Sequence, residues 1–393
     1  MRHYYFLFFF ICIVACKQQK VISDYNKPIS DIETYFLITP TSDSITNIIY
    51  TISASDLYTQ SSKNSKSYIY FEVENYDENK NQLIQSYTSP TKIIYVNNSS
   101  DFIQGSFALP FYIPQNSSIR IRMLNTYNTL LRSYTYYIPQ EKESFEILQN
   151  NTRNRWFKPY VYVDTCVFIN IVKNKEYLFY TFEPPYMNAL NKPIPYRLPI
   201  IHDSVVVPFT KIGNYTFYSD SLLQDTIFSI PAVSKKFPKN NSACIMLTAL
   251  QLINPLLSLD SLLNTRVGCK IELDKQWLSI ADNNEMKAKE AINSFYSRIE
   301  KANKLYTITK QGMYSDRGIC LILLGEPQKI SYNVNSEIWY YSIDTTIQEK
   351  KFIFDKKNIG IQSEYYLKNK NEKKIFIDFA QLNWQRGNVF TLQ

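Results

Sequence analysis

One long amphipathic helix, predicted from Asp282 to Tyr306, constrains the fold of this chain more than any other feature. Asp282 is followed three residues later by Glu285, the capping-box spacing that satisfies free amides at a helix start. The apolar side chains that follow recur at three- and four-residue steps, so they share one helical face. They are Ile292, Phe295, Tyr296, Ile299, Ala302 and Tyr306. This pattern predicts an architecture, but it names no reaction.

The residues after this helix predict a turn and then a buried strand. Gly312 and Gly318 bound the turn GMYSDRG. The next run, ICLILLG (Ile319–Gly325), is short and apolar, and Glu326-Pro327 closes it. Its length and its β-branched residues are typical of a buried strand.

Most of the chain before residue 239 consists of short alternating runs that predict β-strands. The sequence holds 32 Tyr and 24 Phe but only 8 Gly, and aromatic and β-branched residues favour strands. Six or more such runs, with a hairpin tip at Asp77–Asn81, predict an immunoglobulin-like antiparallel β-sandwich over residues 31–140. Residues 141–238 predict a second β-rich unit, interrupted by a proline-rich surface loop, EPPYMNALNKPIPYRLP. The aromatic residues of that loop either stack on a sugar or peptide or cover a small sandwich.

Residues 239–393 predict an α+β domain in which helices pack on an antiparallel sheet. Ser242–Ile253 and Ser258–Thr265 predict helices, and Glu337–Ile343 and Lys350–Asp355 predict a hairpin. The later runs YYLK, KIFIDF and WQRGNVF predict one or two further strands. The fold class predicted for the whole chain is therefore mainly β with a C-terminal α+β domain.

The N-terminus resembles a bacterial lipoprotein signal peptide. Arg2 provides the positive region, Tyr4–Val14 the apolar region, and Ile13-Val14-Ala15-Cys16 a lipobox. The resemblance implies that residues 1–15 are cleaved and that Cys16 is acylated. The alternative is an ordinary signal peptide with an incidental cysteine. We expect no transmembrane anchor, because the apolar run falls short of the ~20 residues that a bilayer needs.

The residues after Cys16 predict where the chain would lie in the envelope. Residues 16–30 have the polar, proline-containing composition of a tether. The segment Lys17-Gln18-Gln19-Lys20 lacks the acidic cluster that resembles surface-export signals. We therefore expect an outer-membrane lipoprotein that faces the periplasm, with the membrane as its partner through the lipid.

Charge and cysteine usage exclude several classes of function. The 43 basic and 35 acidic residues give a net charge of +8, but they are scattered, so we predict no nucleic-acid partner. The cysteines after Cys16 show no Cys-x-x-Cys spacing; they are Cys166, Cys244, Cys269 and Cys320. Because His202 is also the one histidine of the mature chain, we predict no metal site. Buried free thiols are expected, with one or two disulfides as the alternative. The sequence contains no P-loop and no Gly-x-Gly-x-x-Gly motif, and we predict no cofactor.

An ordered set of short motifs spans about Ser242 to Asp355. The set comprises Lys270, Asp274, Trp277, Asn284-Glu285, Tyr296-Ser297-Arg298, Ala302-Asn303, Gly312-x-x-Ser315-Asp316-Arg317-Gly318, Gly325-x-Pro327 and Glu337-x-Trp339-Tyr340. It resembles the GWxTD domain, which is found in envelope proteins of Bacteroidetes and some other bacteria, often behind β-rich regions. Met313 stands where the family has tryptophan, and Ser315 stands where it has threonine. The resemblance implies a domain but no established activity.

These motifs contain the residues that we single out as a functional or structural cluster. They are Arg298, Asn303, Gly312, Ser315, Asp316, Arg317, Gly318, Glu326, Glu337 and Trp339. In a functional interpretation, carboxylates and an arginine border a cleft for acid–base work or for gripping a charged ligand. In a structural one, Asp316 accepts backbone amides within its turn, while Arg298 or Arg317 pairs with a carboxylate to hold helix against sheet.

The sequence supports two functional hypotheses, and we favour the first. The first is a lipid-anchored, non-enzymatic scaffold or binding protein of the cell envelope, with a protein or glycan partner and no catalytic residue. The alternative is an envelope hydrolase that uses Asp316 with Glu326 or Glu337. No nucleophile elbow is present, and a single mature histidine leaves little scope for a catalytic dyad.

Overall fold

The fold is taken from a computed structural model of the chain, and it is described over the following residues: 23–25, 32–40, 45–60, 66–80, 82–95, 102–138, 145–149, 158–171, 176–184, 194–202, 204–239, 242–257, 259, 266–343, 347–360 and 362–392. The predicted signal segment and Cys16 lie outside these ranges. Within them, no helix combines the length and the apolar character needed to cross a bilayer.

The N-terminal third forms a β-sandwich. After strand β1 (Ser23–Tyr25), the elements are β2 (Thr34–Pro40), β3 (Thr46–Ser53), helix α1 (Ala54–Gln60), β4 (Lys66–Asp77), β5 (Gln82–Thr88), β6 (Lys92–Tyr95), β7 (Phe102–Leu109), β8 (Ser117–Asn125) and β9 (Leu130–Ile138). Strands β2, β3 and β7 form one antiparallel sheet, and β4, β5, β6, β8 and β9 belong to a second. Phe36, Tyr50, Phe71 and Phe107 pack in the shared core. The hairpin predicted near Asp77 joins β4 to β5.

The second β-rich unit also consists of two sheets around one core. Its strands are β10 (Phe145–Gln149), β11 (Val161–Tyr162), β12 (Thr165–Ile171), β13 (Tyr177–Glu183), β14 (Tyr196–Pro199), β15 (Ser204–Phe209), β16 (Gly213–Tyr218) and β17 (Thr226–Val233). The sheet orders are β10-β12-β15 and β11-β17-β16-β13-β14. Val167, Val207, Phe217 and Ile230 lie in the core. Most of the predicted proline-rich loop lies outside the described residues.

The C-terminal part contains helices and an antiparallel sheet. Its elements are α2 (Ala243–Ala249), α3 (Arg266–Ile280), α4 (Glu285–Tyr306), α5 (Asp316–Leu324), β18 (Lys329–Tyr332), β19 (Ser336–Ile343), β20 (Ile347–Ile359), β21 (Gln362–Leu367) and α6 (Lys370–Gln385). Trp277, Phe295, Trp339, Phe352 and Trp384 share one core. The predicted fold class, mainly β with C-terminal helices on an antiparallel sheet, is confirmed. The helix predicted at Ser258–Thr265 falls, except for Leu259, outside the described residues.

One sheet runs through both the sandwich and the C-terminal part. Its order is β1-β18-β19-β20-β21-β9-β8-β4-β5, with β6 paired to β4. The junction is the pairing of Gln362 in β21 with Tyr136 in β9. At the other edge β1 pairs with β18, so three residues of the expected tether form a strand.

The strand predicted at Ile319–Gly325 is wrong, because these residues lie in helix α5 and at its end. The Ser315 hydroxyl caps the helix by accepting a hydrogen bond from the Gly318 N–H at 3.0 Å. Cys320 to Leu324 are all buried, so the run is apolar on every side of the helix. A short, uniformly apolar run cannot distinguish a strand from a buried helix.

Two other local predictions are corrected by the structure. Asp282 does not cap α4; the cap is Asn284, whose Oδ1 accepts from the Lys287 N–H at 3.1 Å. The runs KIFIDF and WQRGNVF are not strands, because α6 contains the first and ends within the second. Ala380 and Trp384, four residues apart and both buried, give α6 its packed face.

Cys244 and Cys269 form a disulfide, so the expectation of free thiols is wrong for these two residues. The bond joins α2 to α3, with the two Cα atoms 4.9 Å apart. Cys320 is free and buried, and its burial raises the pKa of the thiol. The side chain of Cys166 lies outside the description.

Reduction of the disulfide should destabilise the C-terminal part. The bond closes a loop with a sequence separation of 25, for which loss of the constraint on the unfolded chain costs about 3 kcal/mol. We expect the denaturant midpoint of the wild type to fall in reductant, while the Cys244→Ser/Cys269→Ser double variant is already lowered and insensitive to reductant. Equal midpoints for the wild type with and without reductant would contradict the assignment.

Candidate functional site

The turn from Gly312 to Gly318 brings two stretches of backbone into close contact with little room for side chains. A Cβ on Gly312 would lie 2.0 Å from the carbonyl oxygen of Ala302 in α4. A Cβ on Gly318 would lie 1.8 Å from the carbonyl oxygen of Gly312. Because neither neighbour is the end of a flexible side chain, both positions require glycine. The glycines of the motif therefore set the distance between α4, the turn and α5.

Buried polar side chains of α4 hold this turn. Asn303 Oδ1 accepts from the Met313 N–H at 3.0 Å, and its Nδ2 donates to the Pro238 carbonyl at 3.3 Å. Thr307 Oγ1 accepts from the Gly312 N–H at 2.9 Å. These bonds satisfy backbone amides that have no helical partner. Asn303 thus ties α4 both to the motif turn and to the segment after the second β-rich unit.

Ser315 and Met313 complete the inside of the turn. The Ser315 hydroxyl donates to the Gly312 carbonyl at 2.7 Å while it caps α5. Its burial leaves no access for a ligand. The Met313 side chain is fully buried in the core, where an apolar side chain is required. Both departures from the family pattern therefore fit their surroundings.

Asp316 does not accept amides within its own turn, so that interpretation is wrong. Its Oδ2 accepts from the N–H of Leu367, at the end of β21, at 2.7 Å. The same oxygen lies 2.9 Å from Nζ of Lys370, at the start of α6. Asp316 therefore joins the start of α5 to the β21–α6 corner, while Ser315 supplies the cap.

Arg317 and Glu337 form a buried ion pair beneath the sheet. Arg317 Nη1 lies 3.0 Å from Glu337 Oε2, and the two residues are 7% and 2% exposed. The rings of Tyr306 and Tyr365 lie against the guanidinium, with centroids at 4.8 and 4.2 Å. Glu337 Oε1 also accepts from the Trp339 indole N–H at 2.5 Å. Burial opposes the charge of Arg317, but Glu337 and then Glu364 outweigh it, so its pKa is raised.

Glu364 belongs to this cluster, although sequence analysis did not select it. It is fully buried on β21, and its Oε2 accepts from the Thr309 hydroxyl at 2.8 Å. Its position in the run QSEYYL, between Ser363 and two tyrosines, was the available signal, because a charged residue in a buried strand needs a partner. The cluster therefore contains one arginine and two buried carboxylates.

Arg298 and Glu326 lie apart from this ion pair. Arg298 Nη1 donates to the carbonyls of Ile322 and Phe390 at 3.1 and 2.7 Å, and its Nη2 donates to the Thr391 hydroxyl at 2.8 Å. Burial lowers the pKa of Arg298. Glu326 pairs with Lys301 at 2.5 Å near the surface. Arg298 thus fixes the chain end to α4 and α5.

The ten selected residues therefore form three groups. Arg317, Glu337 and Trp339 meet under the sheet, where Trp339 packs on Tyr306 and Phe354. Asn303, Gly312, Ser315 and Gly318 form the turn, and Asp316, Arg298 and Glu326 each make separate contacts. The carboxylates do not converge on one cleft.

Basic residues at the boundary between the sandwich and the C-terminal part form a further set of contacts that sequence analysis missed. Arg132 Nη2 donates to the Lys304 carbonyl at the end of α4 at 2.5 Å. Arg120 Nη2 donates to the Asn333 carbonyl between β18 and β19 at 2.5 Å. Lys356 on β20 pairs with Glu78. The sequence signal for such contacts was the pair of arginines at alternate positions in SIRIRML. All but the last residue of β8 are buried, and buried charged side chains need partners.

Two cavities border the motif region, and they differ greatly in size. The first has about 30 Å³ and is lined by groups that include Arg132, Arg317 and Glu337. This volume holds about one water molecule. The second has about 730 Å³ and lies between the second β-rich unit, α2 and the motif turn, where Gln311 and Tyr314 line it. None of the motif carboxylates lines the larger cavity. Within the described ranges, no group of three or more His, Cys, Asp or Glu residues could hold a metal ion.

Part of the chain matches a known protein family. Residues 213–385 match the family model of the GWxTD domain. The chain carries a GWxTD domain. The match begins in β16, so the GWxTD region includes β16 and β17 as well as the helices and strands that carry the motifs. No curated protein matches the chain.

Solved structures show only remote likenesses. A calcium binding mutant of Bacteroides uniformis beta-glucuronidase 2 is 12% identical, with 33% of this chain and 16% of that chain covered and a TM-score of 0.21. Red sea bream transglutaminase is 11% identical, with 52% and 31% covered and a TM-score of 0.19. The BSP domain of a biofilm associated protein is 8% identical, with 53% and 52% covered and a TM-score of 0.15. The chain thus spans a minor part of the first two proteins, and TM-scores this low support no inference about its function.

Substitution of Asp316 should lower stability. Asp316→Ala leaves the Leu367 N–H without its acceptor, which costs about 1–3 kcal/mol. Lys370→Ala is the matched control, because it removes only an ion pair whose lysine is 59% exposed, worth at most about 1 kcal/mol. Denaturant unfolding of the full chain measures both variants. A wild-type midpoint for Asp316→Ala would refute the structural role.

The buried ion pair should show strong coupling between its members. Arg317→Met or Glu337→Gln alone leaves a buried charge without its partner, which costs about 3–5 kcal/mol. The double variant should lose less than the sum of the two, because each single variant already includes the loss of this one pair, and of the charges of the cluster only Glu364 then remains. Unfolding free energies of the three variants test this, with the exposed pair of Lys301→Met and Glu326→Gln as the control cycle. Additive losses at Arg317 and Glu337 would contradict the pairing.

Proposed function

We propose that the protein is a lipid-anchored, non-enzymatic binding protein of the bacterial cell envelope. In this proposal the GWxTD motifs form a rigid joint between the β-rich units and the C-terminal helices. The lipobox ending at Cys16 supports the anchor and a location at the periplasmic face of the outer membrane. A Bacteroidetes origin fits the GWxTD resemblance.

The observation that supports a non-enzymatic role is the engagement of the motif carboxylates. Asp316 binds a backbone amide and Lys370, Glu326 binds Lys301, and Glu337 binds Arg317 and Trp339. A general acid or base must reach a substrate proton, whereas Glu337 borders a space for about one water molecule. The hydrolase hypothesis would require these contacts to break. The intact contacts therefore favour a structural joint over a catalytic site.

Binding is supported by the larger cavity and by the surfaces of the β-rich units. The cavity of about 730 Å³ lies beside the motif turn, and small-molecule sites commonly have about 300–1,000 Å³. The loops of the sandwiches would bind a protein or glycan partner of the envelope. The GWxTD joint would hold these parts in a fixed relation.

The lipid anchor can be tested at two cysteines of the signal region. We expect the wild type and Cys12→Ser to enter the detergent phase and to incorporate a radiolabelled acyl chain, because Cys12 precedes the cleavage point. Cys16→Ser should do neither. Cys16→Ser protein that retains the acyl label would overturn the assignment, and loss of label in Cys12→Ser would show that the wrong cysteine was chosen.

A further inference from the structure

We propose that the larger cavity, the α2 cavity, binds a small amphiphile that has an apolar body and one anionic head group. This inference deepens the proposed function, because it assigns a ligand class to the binding protein. The walls of the α2 cavity come from three parts of the chain, namely the ends of β13 and β17, helix α2 and the motif turn.

The wall of the α2 cavity is mainly apolar. Phe182, Ile212, Val233, Phe237 and Ile245 supply hydrocarbon surface from the β-rich unit and from α2. An apolar ligand body gains free energy when it moves from water onto such a wall. The volume suits a single small molecule rather than a folded partner.

Two polar side chains of the wall suit an anionic head group. The first is Gln311, which is only 4% exposed and lines the cavity. Its side-chain amide carries N–H donors that can bind a ligand oxygen. The residue before the motif turn thus offers a hydrogen-bond donor to the cavity.

The second polar group is Lys211, which decides the sign of the head group. Lys211 lines the cavity with its Nζ 6.0 Å from the ring centroid of Phe182, and within the described residues it has no carboxylate partner. No acidic side chain is among the described residues of the wall. An anionic head is therefore favoured over a cationic one, since like charges repel and opposite charges attract across a partly desolvated site.

The wall is fixed in place by contacts already described. The disulfide of Cys244 holds α2 against α3, and Asn303 holds the Pro238 carbonyl at the far end of the same wall. Gln311 and Tyr314 flank the constrained glycine turn, with the Tyr314 N–H donating to the Gln311 carbonyl at 2.9 Å. A cavity built on such fixed elements is preformed, which lowers the cost of binding.

The test uses the full-length protein in its native membranes. An alkyl carboxylate that carries a photoactivatable diazirine is added, and the labelled peptides are mapped by mass spectrometry. We expect saturable labelling of the peptides that contain Ile245 or Tyr314, with competition by excess unlabelled carboxylate. Labelling confined to other segments, or labelling that does not saturate, would overturn the proposal.

Three variants separate the body of the ligand from its head. Ile245→Trp narrows the cavity and should lower labelling on the order of tenfold. Lys211→Gln should lower labelling by the carboxylate about threefold, the effect of losing one exposed ion pair, and should leave labelling by the matching alcohol unchanged. Lys289→Gln, on the exposed side of α4, is the control and should change neither.

The outcomes distinguish this inference from the proposed function. Equal labelling of the wild type and Lys211→Gln by the carboxylate would overturn the anionic head, whether or not Ile245→Trp folds. Failure of the Cys16 experiment would overturn the lipid anchor but would leave labelling of the α2 cavity intact. Absence of labelling with an intact anchor would overturn the cavity assignment alone.

Discussion

The approach of the Gly312 backbone to the Ala302 carbonyl is the constraint on which the C-terminal architecture depends. Because no side chain fits between them, the turn lies directly on α4 and α5 starts at a fixed distance from it. That start places Asp316 against the end of β21 and Arg317 under the sheet. One steric condition thus determines the positions of two charged residues. The charged residues of the motif are consequences of this geometry and not its cause.

Two arginines of the sandwich bind backbone carbonyls of the GWxTD domain. Arg132 reaches the end of α4 and Arg120 reaches the β18–β19 turn. A carbonyl acceptor is present whatever the side chain at that position, so these contacts depend on the shape of the partner more than on its sequence. The shared sheet adds one pairing, between Gln362 and Tyr136. Leu124 and Leu130 of the sandwich also belong to the C-terminal core, so the two parts are held by apolar packing as well as by these directional contacts.

The fold was predictable where a periodic pattern had one buried face. The spacing of Phe295, Ile299 and Ala302 predicted α4, and the alternation in the run that contains Ile121 predicted β8. The prediction failed at Cys320–Leu324, because burial on every side removes periodicity. It also failed for the disulfide, because the pairing of Cys244 with Cys269 depends on how α2 packs on α3. Among the site residues, the sequence indicated Arg317 and Glu337 individually, but their pairing requires the three-dimensional arrangement of α5 and β19. Glu364 and Gln311 lie outside the family motifs, and their positions in the cluster and in the cavity wall follow only from the three-dimensional arrangement.

Because β1 pairs with β18, a lipid anchor near the N-terminus would place the last domain of the sequence close to the membrane. Ser23 follows Cys16 by seven residues, which span at most about 25 Å when fully extended. With a lipid on Cys16, the edge of the GWxTD sheet would therefore lie within that distance of the membrane surface, although the GWxTD domain comes last in the chain. The N-terminal sandwich, which comes first in the sequence, would be positioned through the C-terminal domain. Because the backbone continues from β1 to β2, force applied to the sandwich would reach the anchor along the chain, and the three residue pairs of β1 with β18 would hold the GWxTD sheet beside that connection.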